Sequence, residues 1–162
     1  MESLLLICIF VTGLVMGSFF NVCVYRIPRK ESIVFPPSHC TSCHTKLHGA
    51  DLVPVLSYVC LGGRCRYCRE KISVRYPLIE LLTGSIYLIL AVRFGTGGTF
   101  VSYAFLCSVL VIATAIDLEY QIIPNGLVLT GAIAGVLTSL AGWSVPWQDR
   151  PDDGRPSLAS AE

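Results

Sequence analysis

The chain has 162 residues, 53% of them hydrophobic and 14% charged, with a mean hydropathy of +0.64 and a formal net charge of +1. That is more apolar surface than a soluble domain of this size buries, so the expected solvent is the lipid bilayer. The near-neutral charge, with its basic residues gathered in one loop, argues against a nucleic-acid partner.

Met1-Glu2-Ser3 lacks the basic start of a cleavable signal and no small-residue cleavage site follows, so the first apolar run, Leu4 to Val24, is expected to remain as a span. Gly13, Gly17 and Ser18 give it a small-residue stripe suited to close helix packing. Three further runs, Pro77 to Phe94, Thr99 to Ile116 and Gly126 to Trp143, also approach the roughly 20 residues that cross a bilayer. Pro28, the glycines at 95, 97 and 98, Pro124-Asn125-Gly126 and Pro146 punctuate them. The expected fold is all-α: a polytopic membrane helix bundle of about four spans with a cytosolic zinc-binding loop. Along the chain this gives a first span over 1–25, a four-cysteine loop over 26–76, spans two to four over 77–143 and a polar tail over 144–162.

Arg26, Arg29, Lys30, Lys46, Arg64, Arg66, Arg69, Lys71 and Arg75, nine of the 12 basic residues, lie between the first two spans. The positive-inside tendency therefore makes that loop cytosolic and the N-terminus external. Counting spans, the turn after Asp117 faces the cytosol as well.

Within the loop, Cys40/Cys43 and Cys65/Cys68 form two Cys-x-x-Cys turns. Each turn converges two sulfurs on one ion, and two turns complete a tetrahedral four-thiolate zinc site. Such a site is closed to substrate water, so the zinc is expected to be structural. A reducing cytosol favours metal over disulfide. Free thiols or a redox pair are the competing readings, the latter without the βαβ context it needs. Gly62-Gly63 suits the tight backbone before Cys65, and Arg64, Arg66 and Arg69 are placed to offset thiolate charge. His39, His44 and His48 read as solvated side chains, and Cys8, Cys23, Cys60 and Cys107 as small hydrophobes.

Two carboxylates sit where acids are costly. Glu80 lies about one turn inside the second span, where it helps position a substrate, pairs with a basic loop residue or snorkels to the headgroups. Asp117 ends the third apolar run in Ala-Ile-Asp117-Leu-Glu119-Tyr-Gln121, as either a catalytic acid or an interfacial one, with Glu119 and Gln121 as headgroup-level neighbours.

The ordered strings Gly17-Ser18-Phe19-Phe20-Asn21-Val22-Cys23-Val24-Tyr25-Arg26-Ile27-Pro28, Ser38-His39-Cys40 with both knuckles, Leu56-Ser57-Tyr58, Ile72 to Leu82 and Ile116-Asp117-Leu118-Glu119 resemble the bacterial type IV prepilin peptidases. That family is a bifunctional membrane aspartic protease and N-methyltransferase. The resemblance implies removal of the leader of type IV prepilins or of pseudopilins of type II secretion. The cleavage takes place at the cytosolic face of the bacterial inner membrane, and S-adenosylmethionine then supplies a methyl group to the new amino terminus. It makes Asp117 the first of two catalytic aspartates, with Glu80 and Glu119 as possible supporting acids, and Cys40, Cys43, Cys65 and Cys68 the metal loop. The Gly17 to Pro28 region and the loop are implicated in methylation. The second aspartate of the family lies in a Gly-x-Gly-Asp motif, and none follows Asp117; Asp152-Asp153-Gly154 has the wrong order and a polar setting. The chain is therefore expected to be the N-terminal part of such an enzyme and not to cleave alone. The competing readings are an inactive membrane fragment whose zinc loop is a structural or partner-binding module, and a membrane thiol-redox protein.

Overall fold

The computed structural model describes residues 2–143; the expected polar tail, 144–162, lies outside them. The elements are α1 (Glu2–Arg26), α2 (Leu56–Cys60), α3 (Arg75–Phe94), α4 (Gly98–Tyr120) and α5 (Asn125–Leu140), with a 3-10 turn at Gly49–Leu52. Among the described residues there is no strand, only two isolated antiparallel bridges in the loop between α1 and α3.

Helices α1, α3 and α4 are each long and apolar enough to cross a membrane. The fourth apolar run differs from expectation, because its helix has 16 residues. At 1.5 Å per residue that is about 24 Å, less than the ~30 Å hydrocarbon core. The run nevertheless returns to the start of α4: Gly142 takes a left-handed turn (φ 68°) and the Trp143 ring lies against Gly98. Helix α5 is thus the return arm of a hairpin with α4. None of its residues is buried, and its outward face carries Val128, Ile133 and Leu140.

Helices α1 and α3 pack most closely. A Cβ on Gly13 would meet Gly84 Cα at 2.7 Å, and one on Gly17 would meet Glu80 Cα at 2.6 Å. The small-residue stripe therefore serves the close packing expected of it, which is how helices associate in lipid without a hydrophobic driving force. At the loop end, α4 closes the bundle over Phe20, Cys23, Val24, Ile79, Ile112, Ala115 and Ile116. Toward the other end, the buried Tyr87 and Ser108 hydroxyls, 2.9 Å apart, link α3 to α4.

Two arginines fasten the loop to the bundle, and a third ties α3 to α4 at the same end. Arg26, 5% exposed, donates from Nη1 to Ser32 O (2.8 Å) and from Nη2 to Pro36 O (2.6 Å), folding the chain back as it leaves α1. Arg29 donates to Tyr25 O and to the Tyr120 hydroxyl, and Arg75 pairs with Glu119. The end of α4 therefore shares one end of the bundle with the root of the cysteine loop.

Candidate functional site

The two knuckles are built alike. Cys40 N donates to Thr45 O and His44 N to Cys40 O; Cys65 N donates to Glu70 O and Arg69 N to Cys65 O. Bridges His39 to Lys46 and Arg64 to Lys71 close each turn. In both, the residue after the second cysteine is left-handed, His44 at φ 55° and Arg69 at φ 61°. Neither is a glycine, so residue type gave no sign of these turns.

The Sγ atoms of Cys40, Cys43, Cys65 and Cys68 all lie within 4.8 Å of one another, and Cys40 and Cys68 are 3.8 Å apart. Four thiolates at ~2.3 Å from a tetrahedral zinc stand about 3.8 Å from each other, so the donor set fits that ion. No histidine belongs to the cluster among the described residues. The electrostatics point the same way. Cys43 is lowered to about 6, first by its hydrogen bond with the Thr45 hydroxyl, 3.3 Å away, and then by the Thr45 backbone. Cys65 is lowered by the N–H groups of Cys68 and Tyr67. For Cys68, the Glu70 N–H lowers the thiol, but desolvation and the neighbouring sulfurs outweigh it and push the thiol up to about 12. A divalent cation supplies the charge that lets all four ionise together.

The basic residues of the loop do not simply surround the sulfurs. Arg66 Nε donates to Asp51 Oδ1 at 2.6 Å, while His48 N (3.2 Å) and the Tyr67 hydroxyl (3.4 Å) donate to Asp51 Oδ2. Asp51 thus ties the segment between the knuckles to the second knuckle.

Below the knuckles, a cavity of about 810 Å³ opens between the end of α1, the loop and the first turns of α3, lined by Ser18, Asn21, Cys40, Tyr58, Glu80 and Glu119 among others. Glu80 is 7% exposed. It does not snorkel and, among the described residues, pairs with no basic group. Instead Oε2 accepts the Val55 N–H at 2.7 Å. Glu80 therefore pegs the loop to the span at Val55, which is itself left-handed (φ 59°). Asn21, 2% exposed, donates from Nδ2 to Gly17 O and Tyr76 O, leaving Oδ1 buried without a donor.

Asp117 sits in the last turn of α4, where its backbone carbonyl accepts from Gln121 N at 2.8 Å. The residue is exposed and, among the described residues, its carboxylate has no ion pair or hydrogen bond. Two residues on, Glu119 lines the cavity and is held by Arg75. The two acids are therefore distinct: Glu119 is a structural tie, and Asp117 is uncommitted at the same end of the bundle.

Residues 11–94, just over half of the chain, match the family model of the bacterial peptidase A24 N-terminal domain, and residues 104–150 match that of the type IV leader peptidase family. The chain belongs to the type IV leader peptidase family. Among its relatives, a prepilin leader peptidase/N-methyltransferase of Myxococcus xanthus is 43% identical over 128 residues, covering 79% of this chain and 38% of the relative. Proteins of the same description from Klebsiella pneumoniae and Bacillus subtilis are 38% and 32% identical, covering 85% and 83% of this chain and 63% and 56% of theirs. The chain thus spans less than two thirds of the length of these relatives. No solved structure matches it.

Proposed function

We propose that this chain carries the first aspartate and the metal loop of a prepilin leader peptidase and N-methyltransferase of the bacterial inner membrane. In this reading the enzyme cleaves the leaders of type IV prepilins or pseudopilins at the cytosolic face and methylates the exposed amine. The observation that carries it is the uncommitted Asp117 carboxylate at the end of α4, on the same end of the bundle as the four-cysteine cluster, in a chain matched by both family models.

An aspartic protease activates water with one ionised carboxylate while a protonated partner polarises the scissile carbonyl. Asp117 supplies one such group. Glu80 and Glu119 do not serve as the other, because Glu80 is bound to Val55 N and Glu119 to Arg75. A second carboxylate has to be brought to the Asp117 end of the bundle. The peptide approaches from the bilayer, since substrate and enzyme are both membrane-inserted. The cysteine cluster takes no chemical step: when bound, zinc crosslinks the two knuckles, and Cys40, Cys43, Cys65 and Cys68 hold the roof of the cavity in place. Methylation draws on S-adenosylmethionine, and the cavity beneath the knuckles, with Asn21 and Glu80 in its wall, is the space in this chain that suits the transfer.

The test uses a bacterium lacking its own prepilin peptidase. The chain joined to the remaining length of the Klebsiella relative should remove the leader from a prepilin, and Asp117→Asn in that fusion should abolish the removal, because an amide neither activates water nor shares a proton. The 162-residue chain expressed by itself should leave the prepilin uncut. Cleavage by the Asp117→Asn fusion, or efficient cleavage by the chain alone, would overturn the two-aspartate reading.

A further inference from the structure

Between the two knuckles, the most basic loop of the chain runs uncharged over residues 52–63. An apolar run on the order of ten residues is too short to cross a bilayer and suits a segment that dips into it. The short helix α2 inside this run is amphipathic the wrong way round for water. Ser57, Tyr58 and Leu61 line the cavity, whereas Leu56 (63% exposed), Val59 (67% exposed) and Cys60 stand outside it. The hydroxyl-bearing face is turned to the protein and an apolar face is turned out.

Glu80 fixes the depth of this helix. With 20 residues, α3 is about 30 Å long, just the thickness of the hydrocarbon core, so Arg75 stands at the headgroups of the cytosolic leaflet. Glu80 lies about 7.5 Å further in, five residues along α3. Its backbone meets Gly17, well inside α1. The 2.7 Å bond from Val55 N–H to Glu80 Oε2 therefore holds the start of α2 beside the first turns of α3 and not above them. Lipid admits irregular backbone only where the polar groups have partners. That condition is met: the N–H groups of Ser57, Val59, Leu61 and Gly63 donate to the carbonyls of Val53, Val55, Ser57 and Tyr58, and Pro54 has no N–H to satisfy.

We propose that residues 52–61 form a re-entrant segment that enters the cytosolic leaflet between the knuckles, with Leu56, Val59 and Cys60 against lipid acyl chains. This face continues the lipid-facing surface of the spans, and a soluble partner would have to pass the headgroups to reach it. The four cysteines grip the two ends of the dip, and Glu80 supplies the acceptor that the Val55 N–H would lack in lipid.

The test uses the zinc-loaded native chain in nanodiscs that contain a phosphatidylcholine with a photoreactive diazirine in one acyl chain. Labelled residues are mapped by mass spectrometry, and the label on α1 and α3 calibrates the yield. Label within residues 52–61 should approach that on the exposed residues of α3 and exceed that on the knuckles by about tenfold, as an apolar face sunk below the headgroups requires. A segment labelled no more than the knuckles overturns the proposal, whether water or a second copy of the chain covers the face. The fusion to the remaining length of the Klebsiella relative should carry the same label. Its disappearance there would mean that protein, and not lipid, covers the face, and would also overturn the proposal. Val59→Asp places a charge in the lipid-facing surface, so it should lower the label on the segment severalfold with zinc retained and α3 labelled as before. Unchanged label in zinc-loaded V59D refutes the dip; should V59D shed its zinc, the native chain and the fusion decide.

Discussion

Acids of the same type are put to different uses by what surrounds them. Asp117 and Glu119 are two residues apart on α4, yet only Glu119 has a guanidinium beside it. Glu119→Gln is accordingly expected to lower the melting temperature of the chain without abolishing cleavage in the Klebsiella fusion, in contrast to Asp117→Asn; comparing thermal unfolding with leader removal separates the two. At the cysteines, the depressed Cys43 thiol has a sign that can be worked out. Its thiolate contributes stability to the metal-free loop in the neutral range, and that contribution is lost as pH falls through about 6. Alkylation of metal-stripped protein should therefore strike Cys43 first, with a rate rising through about pH 6, while Cys68, pushed up to about 12, reacts last. Equal labelling of the two at neutral pH would contradict this ordering. Cys65→Ser should lose the metal outright, as elemental analysis of the purified chain would show.

At the scale of elements, the packing of α1 on α3 leaves no room for side chains at Gly13 and Gly17. Gly17→Ala drives its Cβ into the Glu80 backbone, and the displacement should cost about 1–3 kcal/mol, read as loss of thermal stability in detergent. Much at this scale was legible in the sequence: hydropathy located α1, α3 and α4, and Cys-x-x-Cys spacing located the knuckles. Less legible was where helices end, since Gln121 (φ 53°) stops α4 although it is no glycine, and α5 ends at Leu140, short of Trp143. The contacts of Glu80, Asn21 and Asp51 were beyond reach, because each joins segments far apart in sequence and no local pattern encodes them. Glu80 was visible as an oddity, and its answer, a backbone N–H of the loop, was not among the groups a carboxylate suggests.

For the whole molecule, three spans and a shorter return arm make a multi-pass membrane protein. The basic loop orients it: cysteine introduced at position 46 should be shielded from impermeant reagents in intact cells, and labelling from outside would reverse the topology. Chelation of zinc should then free the loop to proteases while the helical circular dichroism of the bundle persists, because the knuckles have little apolar core of their own and the spans have no need of them.

The bond between Val55 N–H and Glu80 also sets a timetable. During synthesis both knuckles leave the ribosome before Glu80 does, so the loop acquires its ion while its anchor is still inside the ribosome. Only when α3 has entered the bilayer and settled on α1 does the acceptor for Val55 arrive. Nascent chains stalled so that Cys68 has just left the ribosome should already retain zinc yet exchange the Val55 amide freely with deuterated water, and the same amide should become protected once α3 has emerged and inserted.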